Sequence, residues 1–191
     1  MSTPSVTEHP ATCYTVRNGW AWAHIFVRHG TSKGELSTGG DRHWVHVSVL
    51  SDFGEFGYCW SHIGEDWRKF LANLDLHYAM NKMLGPRFRV PLGIEEADAK
   101  GRQLILQGRR ENNLTTEDAR KLWDGLKEAE TDEGLDHFLR DWDRGSGGLW
   151  YAQQWWDYRW DKVNPQAEGF WEKVWPHFVA HLTEQPVEVV A

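Results

Sequence analysis

From Trp20 the chain alternates. Trp20, Trp22, His24, Phe26 and Arg28 fall on one side of an extended backbone, and Ala21, Ala23, Ile25, Val27 and His29 on the other. This is the period of two that a β-strand imposes. Turn-forming residues follow, from Gly30 through Gly39-Gly40, so the strand is expected to stop at His29. Alternation resumes in 43–49, with Val45, Val47 and Val49 opposed to Trp44, His46 and Ser48. After a turn at Ser51-Asp52 it places Phe56, Tyr58 and Trp60 together. Short links between such segments predict an antiparallel meander of three or more strands.

At Trp67 the period changes. Trp67, Phe70, Leu71, Leu74 and Tyr78 recur at helical spacing and predict one amphipathic helix ending at Gly85-Pro86. A short extended piece around Phe88 and Val90 precedes helices expected over 93–109, over 116–130 after a Thr115–Asp118 cap pattern, and over 132–143. Gly145-Ser146-Gly147-Gly148 reads as a flexible joint. A Trp-rich helix is expected near 149–162. A last one follows, carrying Ala167, Phe170, Trp171, Val174, Trp175, Phe178, Val179 and Leu182, with Pro176 inside the pattern as a kink. The class is α+β: an N-terminal antiparallel meander covered by a helix, then a mostly helical C-terminal half. The expected organisation is a loose arm over 1–12, sheet plus helix over 13–88, and a helical part over 89–191 packed on it as one compact domain.

Composition alters this picture in two ways. Thirteen Trp in 191 residues is far above ordinary usage, and indoles either build a core or line a recognition surface. The net charge of −7 is concentrated, because residues 111–143 hold eleven acids against four bases and account for all of it. The remainder is balanced, so the whole-chain footprint of a nucleic-acid binder is lacking and direct nucleic-acid binding is not expected, a local patch such as Arg102, Arg109 and Arg110 aside. No apolar run approaches the roughly 18–20 residues of a membrane span, and no signal peptide is read. Cys13 and Cys59 lack a C-x-x-C spacing and read as free thiols in a reducing, cytoplasmic compartment.

Candidate chemistry starts at Ile25-Phe26-Val27-Arg28-His29-Gly30-Thr31. An apolar strand running into Arg-His-Gly resembles the opening motif of the histidine phosphatases, which implies His29 as nucleophile and Arg28 as phosphate ligand. That chemistry also needs a facing general acid, commonly a second His followed by Gly, and His29 is the only such His. His24, His46 and His62 share one expected face and are an alternative metal set for a hydrolase. His177 and His181 stand at i and i+4 without an H-E-x-x-H context. No P-loop, nucleophile elbow or dinucleotide fingerprint occurs, and no cofactor is expected.

Two features point to binding instead. Acidic helices can engage a basic partner, with Glu128, Asp132, Glu133 and Asp136 as candidates. The run Trp150-Tyr151-Ala152-Gln153-Gln154-Trp155-Trp156-Asp157-Tyr158-Arg159-Trp160 spreads rings around its helix, which offers Trp155 and Arg159 as interface anchors. Val47-Ser48-Val49-Leu50-Ser51-Asp52-Phe53-Gly54, Tyr58-Cys59-Trp60, and Phe70-Leu71-Ala72-Asn73-Leu74-Asp75 with Tyr78 resemble a group of small proteins of unknown function encoded by tailed phages and prophages. The resemblance covers 45–85 and implies provenance: small phage accessory proteins often bind and disable host machinery, including defence systems. The expectation is a non-enzymatic protein that inhibits a host protein or protein–nucleic acid complex in the bacterial cytoplasm, of an anti-defence or anti-CRISPR type. An enzyme built on Arg28 and His29 or on the three His, and a nucleic-acid-processing accessory protein, are the alternatives.

Overall fold

The computed structural model describes residues 4–33, 41–129, 134, 138 and 161–184. An antiparallel sheet is formed by β1 (Thr12–Asn18), β2 (Ala21–Lys33), β3 (Asp41–Ser51) and β4 (Gly54–Ile63), in that spatial order. Two hairpins are set by local chemistry. Asn18 pairs with Ala21 around a turn in which Gly19 takes φ 62°, a left-handed value that Gly adopts without a Cβ penalty. Ser51 pairs with Gly54 across Asp52-Phe53. There the Ser51 hydroxyl accepts from the Phe53 N–H and donates to the Gly54 carbonyl, and the Asp52 carboxylate accepts from the Trp22 N–H. The Ser-Asp-Phe-Gly stretch is therefore a self-satisfied turn pinned to β2.

β2 does not stop at His29. It continues through Gly30 to Lys33, pairing Thr31 with His43 and Lys33 with Asp41. Gly30 reads as a turn residue in isolation, yet β3 offers it a ladder partner, and tertiary pairing overrides the local preference. The alternation itself holds: Ala23, Ile25, Val27, Val45, Val47 and Val49 are buried on one face.

That face is covered by α1 (Trp67–Ala72), α2 (Leu76–Leu84), α5 (Pro165–Lys173) and α6 (Trp175–Glu184), which contribute Leu71, Met80, Met83, Phe170, Val174, Trp175, Phe178 and Leu182 to the same core. Phe170 stands edge-on to Phe56, with ring centroids 4.9 Å apart at 87°. Each such large side chain removed from water contributes about 1.5–3 kcal/mol. The single helix expected from Trp67 onward is two. Asn73 ends α1, and the Asp75 carboxylate caps α2 by accepting from the Tyr78 N–H. Short polar side chains that bond their own backbone favour such breaks over continuation. Gly85, at φ 57°, ends α2 as expected, and a 3-10 turn follows over Gly85–Phe88. The closing helical pattern is divided at Val174, just before Pro176, which has no N–H to bond back.

The sequence groups 89–191 together, whereas contacts divide the chain into Met1–Phe88 with Val163–Ala191 and a second unit, Arg89–Lys162. The second unit holds β5 (Arg89–Pro91), α3 (Ile94–Arg110) and α4 (Thr116–Glu128), and β5 pairs with β6 (Asp161–Val163). Residues 161 and 162 are thus strand, where a helix to 162 was expected. Its core is small: Ala97, Ile105, Leu114, Ala119, Leu126 and Ala129. The Thr115 hydroxyl caps α4 as the pattern predicts, accepting from the Asp118 N–H. Gly101 lets α3 approach α4, since a Cβ there would lie 2.6 Å from Leu126 Cδ2. The joint at 145–148 and the helices expected over 132–143 and most of 149–162 lie outside the described residues. Among the described residues, no helix is long and apolar enough to cross a membrane.

Candidate functional site

Arg28 and His29 are consecutive on a flat strand, so their side chains leave opposite faces of the sheet. His29 stacks on Trp67 at the start of α1, with centroids 4.7 Å apart and planes at 20°. Partial burial there, and then the positive charge of Arg68, hold its pKa below the ordinary imidazole value. Arg28 lies on the other face, its guanidinium carbon 5.0 Å from the centre of the Trp44 ring. The two side chains do not converge on one phosphate. Gly30 completes the explanation of the motif: a Cβ at this position would fall 2.8 Å from Trp44 Cζ2, so the indole packs close against the bare backbone. Arg28 and Gly30 together hold Trp44, and His29 holds the first turn of α1. Beside His29 a concavity of about 390 Å³ is lined by Thr31, His43, Asp66, Trp67 and Arg68 among others. The His43 Nδ1 in it is bonded to the Thr31 hydroxyl at 3.2 Å.

The expected metal set is not assembled. His24 is opposite Leu50, and His46 is opposite Arg28. They share a face but stand four strand residues apart, a span of about 13 Å that no single ion bridges. His62 lies past a register shift between β3 and β4, bonded through Nδ1 to the Ser61 hydroxyl at 2.9 Å. Among the described residues no group of three or more His, Cys, Asp or Glu is placed to hold a metal ion. Cys13 and Cys59 are exposed free thiols on the two outer strands. Three inter-strand spacings of about 4.8 Å separate them, beyond disulfide reach. His181 meets Tyr14 edge-on at 5.7 Å, so it belongs to the packing of α6 on β1.

What the fold does bring together is the outer face of the sheet. Down β2, Trp22 meets His24 at 5.3 Å, and His24 meets Phe26 at 6.4 Å. Arg28 then continues the line onto Trp44 of β3. The ladder places Cys13, Phe26, Ser48 and Gly57 in one row, Thr15, His24, Leu50 and Glu55 in the next, and Arg28, His46 and Cys59 in a third. Arg17 and Arg42 lie at opposite ends of the same face by register. Phe26 and Leu50 keep 41% and 40% of their surface exposed, whereas their neighbours one residue away are buried. Hydroxyls orient the imidazoles: Thr15 Oγ1 lies 3.0 Å from His24 Nδ1, and Ser48 Oγ 3.2 Å from His46 Nε2.

The alternation Trp22, His24, Phe26, Arg28 is visible in the sequence, but Arg17, Arg42, Leu50 and the Gly30–Trp44 contact were not singled out from it. The usable signal is that aromatic residues occupy the polar phase of two alternating strands. Of the acidic candidates, Glu128 is exposed at the last residue of α4. Asp132, Glu133, Asp136, Trp155 and Arg159 lie outside the described residues.

A family model described as a phage family matches residues 5–184 of the chain. No curated protein and no solved structure matches it.

Proposed function

The chain belongs to this phage family, and from that premise we propose that it acts by binding a host macromolecular complex, as an anti-defence inhibitor of the anti-CRISPR kind, rather than by catalysis. The observation that carries this reading is the outer face of the sheet. Phe26 and Leu50 are exposed there beside half-buried Trp22, His24, Arg28 and Trp44 on paired strands, and a contact surface on strands is more rigid than one on loops. Exposed Trp, Arg and aromatic side chains are the groups from which interfaces draw most of their affinity. The imidazoles of the sheet are held by neighbouring side chains: His24 by Thr15, His43 by Thr31, His46 by Ser48, and His29 by Trp67.

In this reading the protein works in the host cytoplasm without a cofactor. The acidic segment, with Glu128, Asp132, Glu133 and Asp136, and the Trp155–Arg159 run serve as further contacts with the same complex. The test is affinity capture from a bacterial lysate, with the full chain compared to a Phe26→Ser, Arg28→Glu variant and to a Glu128→Lys, Asp132→Lys, Glu133→Lys variant. A host complex retained by the parent chain, lost by the variants and inhibited at equimolar protein is the expected result. Catalytic turnover of a phosphate monoester that His29→Ala abolishes, or a bound stoichiometric metal, would replace it with the enzymatic alternative.

A further inference from the structure

We propose that the occupant of the outer sheet face is a single strand of nucleic acid, its bases stacked on the β2 and β3 rings and its phosphates met by Arg17, Arg28 and Arg42. This deepens the binding reading above and rests on it.

The argument begins with spacing. Side chains two apart on a strand are separated by about 6.8 Å, roughly twice the 3.4 Å rise between stacked bases along one strand. Trp22, His24 and Phe26 therefore match bases drawn out of their stack, which is how single strands are held on aromatic platforms. In a duplex the base faces are covered by their neighbours and cannot be reached this way. Trp44 adds a fourth ring, packed close against the bare backbone of Gly30. Arg28 lies over that ring, and Arg guanidinium planes themselves stack on bases.

Charge selects the same partner. By register the face carries Arg17, Arg28 and Arg42 against the Glu55 carboxylate at the outer strand, with Asp52 at its end held on the Trp22 N–H. The net charge of −7 comes from residues 111–143, none of which belongs to this sheet.

The experiment is fluorescence anisotropy of the full chain with labelled oligothymidylate and oligouridylate of about 15 nucleotides, a length within the usual ~4–16 nucleotide sites of such platforms. A duplex of equal length is the comparison. Expected is saturable binding to one or both single strands, with duplex weaker. The slope of log affinity against log salt should be about −2, the value for three phosphate contacts on a single strand. Phe26→Ala should weaken binding about 5- to 150-fold, the alanine cost of one stacked base. Arg42→Gln should reduce the salt slope by about 0.7. The last measurement decides the matter should Phe26→Ala fail to fold.

Absence of binding near physiological salt, a slope near zero, preference for duplex, or a folded Phe26→Ala that binds like the parent overturns the inference. Capture from nuclease-treated lysate separates the two readings. A protein partner that persists there and is lost with Phe26→Ala removes the nucleic acid and leaves the proposed function standing. Loss of all capture together with loss of oligonucleotide binding removes both.

Discussion

Gly30→Ala probes the outer face at the point where the backbone gives way to a ring. The new methyl would sit 2.8 Å from Trp44 Cζ2, 3.1 Å from Cε2 and 3.3 Å from Nε1, against an optimal carbon separation of about 3.5–4.0 Å. The indole must therefore move by about an ångström, leaving its seat on the sheet and its place beside Arg28. Overpacking of this kind costs about 1–3 kcal/mol, and the displaced cation–π contact adds about 0.5–1 kcal/mol. Replacing a mid-strand Gly recovers about 0.5–1 kcal/mol. The net expectation is a destabilisation of about 1–3 kcal/mol, seen as a Tm lowered by roughly 2–12 °C for a chain of this size. The assay is a double-mutant cycle by scanning calorimetry. In a Trp44→Ala background the clash is gone, so the same Gly30→Ala change should raise Tm. Coupling between the two sites should exceed about 1 kcal/mol, and additivity within about 0.5 kcal/mol would refute the reasoning.

Three further outcomes follow from the packing and electrostatics. Phe170 is fully buried between the sheet and α6, so Phe170→Ala should cost about 3–5 kcal/mol in urea unfolding; a loss below about 1 kcal/mol would mean that α5 is not part of the core. Gly101→Ala gains about 1 kcal/mol of helix propensity but drives a methyl into Leu126, so hydrogen exchange in α3 and α4 should accelerate, and slower exchange would contradict the close approach. His29 has its pKa lowered by burial and by Arg68. As pH falls through about 6.5 the unfolded chain takes up this proton before the native state does, and stability is lost there, levelling once the folded pKa is passed. His29→Phe keeps the stack on Trp67 and removes that loss. Parent and variant compared by denaturant unfolding at about pH 7.5 and pH 5.5 should differ in this sense, and equal losses would sink it.

Much of the fold was legible because strand and helix periods are written in local order. The buried phase of β2 and β3, the caps at Thr115 and the end of α2 at Gly85 each depend on residues a few positions apart. The misreadings fall where a distant partner decided. Gly30 looks like the beginning of a turn, yet β3 carries β2 on to Lys33. The helix from Trp67 looks continuous, but Asn73 and Asp75 bond their own backbone and divide it. Pairing and capping compete with propensity by amounts of about a kcal/mol, which a periodic pattern does not register.

The candidate site shows the same division more sharply. Arg-His-Gly resembles the opening of a phosphate centre, in which Arg28 and His29 would have to face one ligand. On a strand they do not: Arg28 and Gly30 serve Trp44 on one face, and His29 serves Trp67 on the other. Likewise His24 and His46 share a face as their phase requires, while the register holds them about 13 Å apart. The sequence alone determined which side chains lie on which face of each strand, since a period of two leaves no freedom in that. Only the tertiary structure decided which of them are neighbours, because register and strand order are set by contacts between segments far apart in the chain. It is those contacts that turn an alternating run of Trp, His, Phe and Arg into one continuous surface.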